Sequence, residues 1–144
     1  MEAEYLPSDV LMNALVQVGV VSDPETNPSG EWPCTTNFLP DQPDYAVALT
    51  DTTGRREGRT SRRVIHHPGV QIRIRGIDTK RTKLRAAKIK NALDNIFRAS
   101  VTLDGQEFLI NSAQHFGIIA AGTEEDGRRR TSFTINAILN ITEV

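Results

Sequence analysis

The hydrophobic positions of the chain change period several times, and each change marks an element. Leu11, Ala14, Leu15 and Val18 recur at helical spacing. Residues 8–18 therefore read as a helix with one apolar face, entered after Pro7, capped by Ser8 or Asp9 and stopped near Gly19. Residues 45–50 switch to alternation, with Tyr45, Val47 and Leu49 on one side. Residues 70–75 alternate most cleanly: Val70, Ile72 and Ile74 oppose Gln71, Arg73 and Arg75, a half-buried strand that Gly76 ends. Helical spacing returns from Thr79 to about Arg98. There Asp78 or Thr79 is the cap, and Ala86, Ile89, Leu93 and Ile96 or Phe97 form the stripe. Lys80, Arg81, Lys83, Lys88 and Lys90 cover the rest of that helix. Short strands follow at 108–110 and 115–121, Asp126-Gly127 signals a turn, and 131–142 reads as a long strand. On it Phe133, Ile135, Ala137, Leu139 and Ile141 face one way; Ser132, Thr134, Asn136 and Asn140 face the other.

Two stretches lack any period. Residues 23–44 hold five of the seven prolines, which excludes a long helix or a central strand and predicts a loop pinned by Trp32, Phe38 and Leu39. Residues 52–68 form a long polar connection carrying five arginines, and a connection of that length in a small domain is either functional or disordered. Strands arrive in pairs rather than singly between helices. The pattern predicts an α+β fold: a mainly antiparallel sheet, two main helices packed on one face, and a long C-terminal β-hairpin. A length of 144 residues suits a single domain over 1–144 with a Pro-rich loop at 23–44 and an Arg-rich loop at 52–68.

No apolar run reaches the ~18–20 residues that span a bilayer, so no membrane partner is expected. The acidic start Met1-Glu2-Ala3-Glu4 carries no basic and apolar leader pattern, so no secretory signal is expected. Cys34 is the single cysteine, which excludes an internal disulfide and a cysteine-based zinc cage.

Net charge is −1, but its distribution is uneven. Residues 1–54 hold nine acidic and no basic side chains; residues 55–90 hold thirteen Lys or Arg against Glu57 and Asp78; residues 91–144 hold seven acids and four arginines. Three partners fit this asymmetry. Nucleic acid could meet the basic block. A second copy could set its acidic part against it. The two blocks could also neutralise one another within one subunit. Residues 55–90 contain no Phe, Trp or Tyr and the sequence pI is about 6.3, which weakens the nucleic-acid reading and strengthens self-association through unlike surfaces.

No catalytic set emerges, and the expectation is a non-enzyme without cofactor or metal. Gly54-Arg55-Arg56-Glu57-Gly58-Arg59-Thr60 lacks the Gly-Lys-Ser/Thr end of a phosphate loop. His66-His67 point to opposite sides of an extended chain and read as a polar surface pair. His115 reads as solvent-facing or hydrogen-bonded to a neighbour. Cys34 has no adjacent base and reads as a small semi-buried residue. Glu124-Glu125-Asp126 read as a solvated turn compensated by Arg128-Arg129-Arg130.

Residues 40–54 (Pro-Asp-Gln-Pro-Asp-Tyr-Ala-Val-Ala-Leu-Thr-Asp-Thr-Thr-Gly), 67–76 (His-Pro-Gly-Val-Gln-Ile-Arg-Ile-Arg-Gly), the basic helix 79–98 and the stretch from Gly117 to Asn140 are together similar to the minor capsid or tail-terminator proteins of long-tailed bacteriophages. The resemblance covers about residues 8–142. It implies an α+β subunit of the virion that assembles as a hexameric ring at the head-proximal end of the tail. That ring stops tail-tube growth and joins the tail to the head connector, and genomic DNA passes through its lumen without sequence recognition. Assembly would take place in the host cytoplasm. Partners implied are further copies of the chain, the tail-tube protein and the head-completion protein. In this reading Arg55, Arg56, Arg59, Arg62 and Arg63 meet Asp41, Asp44 and Asp51 of a neighbour, while Glu124, Glu125, Asp126, Arg128, Arg129 and Arg130 serve tube or connector docking. The alternative is a nucleic-acid-binding module using the basic 55–90 block.

Overall fold

Two long alternating strands that pair in register present one continuous apolar face, and that face must be covered. In the computed structural model, residues 5–55, 59–60, 63–123 and 130–144 are described, with 53–55, 59–60 and 63–64 described by their backbone alone. The elements are α1 (Pro7–Gln17), β1 (Cys34–Thr36), β2 (Ala46–Arg55), β3 (Arg59–Thr60), β4 (Arg63–Gly76), α2 (Thr79–Asp94), β5 (Ala99–Leu103), β6 (Gln106–Thr123) and β7 (Thr131–Glu143). The sheet order is β1-β2-β4-β7-β6-β5, with β3 pairing only with β4. Strands β4 and β7 sit at its centre, antiparallel, with Ile72 opposite Ile135 and Ile74 opposite Phe133. Their inward side chains are buried together with Val47 and Leu49 of β2 and Phe108 and Ile110 of β6.

Both helices lie on this face. Val10, Leu11, Ala14 and Leu15 of α1 and Ala86, Ile89 and Leu93 of α2 close the core. Burying each such aliphatic side chain contributes roughly 1.5–3 kcal/mol. The opposite face carries Gln71, Arg73, Ser132, Thr134 and Asn136, the polar half of the same alternation. No helix among the described residues is long and apolar enough to cross a membrane.

The departures from expectation have local causes. Helix α1 is not capped by Ser8 or Asp9: its cap position is Leu6, without a side-chain cap bond, and Ser8 is buried. The Ser8 N–H and Oγ–H instead donate to the Asp51 carboxylate at 2.8 and 2.7 Å, and the Asn37 Nδ2 donates to it at 2.9 Å. Asp51 thus serves the helix start from a neighbouring strand, where a local cap is normally found. For α2 the Asp78 cap holds, with Oδ1 accepting from the Arg81 N–H at 3.2 Å. Of the two candidates for the end of the stripe, Ile96 packs against the core, whereas Phe97 is 80% exposed beyond the helix end at Asp94.

The Pro-rich stretch contains a strand. Cys34–Thr36 pairs with β2 in parallel, the one parallel pair among the described strands of a mainly antiparallel sheet. Trp32 pins this stretch: it is 2% exposed, with its ring 5.2 Å from Tyr45 edge-on and the Arg81 and Arg85 guanidinium groups at 5.8 and 5.4 Å. Phe38, expected beside it, is exposed. The Arg-rich stretch is likewise no plain loop. Strands β2 and β4 run on to Arg55 and from Arg63, past an irregularity between Thr52 and Arg55, and Arg59–Thr60 folds back on Arg63–Val64.

Strand β5 was not anticipated. It pairs with Gln106–Ile110 through the two-residue turn Asp104-Gly105, both with positive φ, 48° and 80°. The two short strands expected at 108–110 and 115–121 are one strand, β6, whose pairing with β7 slips at Ile110/Ser112, His115/Ile118 and Ala120/Gly122. Gly117 and Gly122, at φ 90° and 98°, sit at two of these slips.

Replacing Trp32 with alanine removes the buried anchor of the Pro-rich stretch. We expect a loss of roughly 3–5 kcal/mol in denaturant unfolding, whereas Phe38→Ala shifts the midpoint by less than about 0.5 kcal/mol. Equal effects of the two substitutions would contradict this assignment.

Candidate assembly surfaces

The basic block is divided in space. Arg75, on the outer sheet face, is 2% exposed. Its Nε donates to the Asp44 carbonyl at 3.1 Å, and its Nη2 donates to the carbonyls of Asp41 and Pro43. Arg130, 4% exposed, approaches the same turn: Nη1 donates to the Asp41 carbonyl at 2.7 Å and Nη2 to Asp41 Oδ1 at 3.2 Å, with Asp44 Oδ1 3.7 Å from Nη1. Buried guanidinium groups need such a full set of acceptors, because an uncompensated charge would cost several kcal/mol. On α2, Arg81 lies over Tyr45 at 4.4 Å, and Arg85 donates to the Val20 carbonyl at 3.2 Å. Burial pulls the Arg85 pKa below its usual value, with Glu31 opposing and Arg81 reinforcing the shift. Among the described side chains of the block, Arg73, Lys80, Arg81, Lys83 and Lys88 are exposed.

These placements revise the sequence-derived sites. Arg130 was grouped with an exposed docking turn, but its side chain is interior and structural. Asp41, Asp44 and Asp51 were matched to a neighbour's arginines, yet each is held within its own chain, the first two by Arg130 and the third by Ser8 and Asn37. Arg55, Arg59 and Arg63 are described by backbone only, at the root and fold-back of the β2–β4 hairpin. Arg56, Arg62, Glu124, Glu125, Asp126, Arg128 and Arg129 lie outside the described residues.

The histidines are half-buried; His66 and His67 are no plain surface pair, and His115 is hydrogen-bonded to neighbours, the second of its two expected placements. The His66 ring packs edge-on against Tyr5 at 5.8 Å and lies 3.9 Å from the Glu143 carboxylate; His67 is 3.5 Å from Asn140 Nδ2. His115 Nε2 is 2.6 Å from Asp94 Oδ1, and its Nδ1 accepts the Gly117 N–H at 3.1 Å. With Nδ1 accepting, the proton sits on Nε2 and is donated to Asp94, so the imidazole ties a slip of β6 to the end of α2. Cys34 is fully buried, and desolvation, assisted by the Asp23 charge, pushes its thiol up to about 12.

One surface was not foreseen. Strand β5 covers β6 only as far as Ile110, and the Arg98 N–H reaches Asn111. Among the described residues no strand pairs with the outer edge of β6 from Ser112 to Thr123. Phe116, 63% exposed, and Ile119, 49% exposed, stand on this stretch. An open edge with apolar side chains is a ready template for a partner's strand. Gly117 and Gly122 inside an apolar alternating run were the available sequence signal.

Two outcomes follow. Arg130→Ala leaves Asp44 Oδ1 without its buried countercharge, and we expect a loss of roughly 3–5 kcal/mol in denaturant unfolding, against less than about 0.5 kcal/mol for the exposed Arg73→Ala. Native Cys34 stays unreactive to iodoacetamide at pH 8 until denaturant is added. Its raised pKa means the unfolded state loses the proton first, so its contribution to stability falls as pH rises from about 9 to about 12. Rapid alkylation of folded protein at pH 8 would contradict the burial.

Comparison with known proteins finds no match among curated proteins. Comparison with protein families matches residues 14–141 to the family described as "Bacteriophage tail terminator protein". The matched region runs from the last turn of α1 to within β7 and so takes in all of α2 and nearly all of the sheet. The chain belongs to the bacteriophage tail terminator protein family.

Proposed function

We propose that the chain is a ring-forming subunit, six copies to the ring, that closes the head-proximal end of the tail tube and joins it to the head connector. Genomic DNA passes through the lumen without sequence recognition, and the subunit acts by assembly, not catalysis. The family match over most of the chain carries this reading. Two unlike surface features on one subunit support it. One is the uncovered β6 edge with Phe116 and Ile119; the other is the arginine-bearing β2–β4 hairpin. The hairpin serves a head-to-tail contact between copies, which closes into a ring when the rotation allows, and the β6 edge is left for a different partner.

In this reading the β6 edge meets the tail tube. The test is light scattering and electron microscopy of the protein, alone and with tail-tube protein. The expected result is a ring or a tube of limited length capped by rings. A monomer under both conditions overturns the proposal. Salt-sensitive retention of DNA by that monomer would favour the nucleic-acid module instead. Phe116→Asp should abolish capping while leaving the thermal midpoint within a few degrees, since the ring is largely in solvent already.

A further inference from the structure

The acids that the sequence pairs with a neighbour's arginines are held within the subunit, but four others form no ion pair among the described residues. Asp9 of α1, Asp23 and Glu25 of the Pro-rich stretch, and Asp104 of the β5–β6 turn line two neighbouring cavities that share Asp9, Leu103 and Asp104. The cavities measure about 440 and 660 Å³ and together form a groove along the outer side of α1. Among the described residues no Lys or Arg lines either cavity, and none of the four carboxylates is in an ion pair. The floor is apolar, with Met12, Val16 and Leu103, and the exposed Phe38 stands at its margin. An apolar floor under an acidic rim suits arginine, whose alkyl stem lies on apolar surface while its guanidinium reaches carboxylates.

We propose that this groove receives the arginine-bearing β2–β4 hairpin of a second copy of the chain. Charge complementarity selects the occupant: residues 55–63 carry Arg55, Arg56, Arg59, Arg62 and Arg63 against the single acid Glu57. The topology brings the two parts level. The pairing of β4 with β7 ends at Ile65 opposite Thr142, so the hairpin overhangs the end of the sheet where β7 terminates. The β5–β6 turn with Asp104 lies at that same end, because Phe108 pairs with Glu143. Copies related by rotation about an axis running along the strands would hold hairpin and groove at one height, as a closed ring requires. Complementary potentials of this kind fix register between partners. The inference rests on the ring reading above and names the contact that closes the ring.

The test is a charge exchange read by sedimentation velocity, with and without tail-tube protein. Asp9→Lys with Glu25→Lys reverses the groove; Arg56→Glu with Arg59→Glu and Arg62→Glu reverses the hairpin. Each reversed chain should associate at least tenfold more weakly than the native chain, and the chain carrying both reversals should recover ring formation, which a misfolded variant cannot do. The native assembly should also loosen as salt rises. Rings that persist unchanged in the groove-reversed chain overturn this contact and leave the ring reading standing. Absence of any assembly by the native chain, with or without tube protein, overturns both. A fall in thermal midpoint of a monomer on reversal, with no change in mass, places the hairpin in its own groove and overturns the proposal, as does loss of assembly in all variants including the doubly reversed one.

Discussion

The pairing of β4 with β7 is the constraint on which the rest depends. A slip of β7 by one residue against β4 would turn Ile135 and Leu139 outward and Thr134 and Asn136 inward. With the register as it is, the sheet has one dry face and one wet face. The dry face recruits both helices. The wet face leaves room for two guanidinium groups to be buried locally, provided that something supplies their acceptors. Residues 41–44 supply them, chiefly from backbone carbonyls.

Elements whose core could be recognised from periodicity alone were legible. The inward positions of β2, β4 and β7 and the stripe of α2 through Leu93 are buried as the alternation predicts. Legibility failed where geometry departs from a fixed period. Strand β6 loses its alternation at each slip and so reads as two pieces. Strand β1 has only three residues and lies among prolines. Strand β5 has one buried residue, Val101, and its clearest mark was the turn Asp104-Gly105 rather than its own pattern. The start of α1 misled because Ser8, a good local cap by type, is committed to Asp51 across the fold.

The assembly surfaces were less legible than the fold, for a related reason. Charge summed along the chain does not say which charges are already satisfied. Arg75, Arg81 and Arg85 belong to the basic block by position but hold the Pro-rich stretch by contact, through carbonyls and the Trp32 and Tyr45 rings. Asp41 and Asp44 count as acidic surface in the sequence and as part of an internal clamp in the fold. The four acids of the groove come together from α1, the Pro-rich stretch and the β5–β6 turn, and no spacing rule links those segments.

The path of the Pro-rich stretch gives the two flanks of the sheet different fates. It starts on the helix side at Trp32, supplies the three-residue β1, and ends on the opposite face over Arg75 and Arg130. That flank is wrapped by a strap in which Pro33, Pro40 and Pro43 offer no amide hydrogens. On the other flank, β6 beyond Asn111 has no strand paired to its outer edge among the described residues. The two flanks therefore differ in what they offer an added strand: the β6 edge keeps its ladder groups, while the strap side is short and interrupted by prolines.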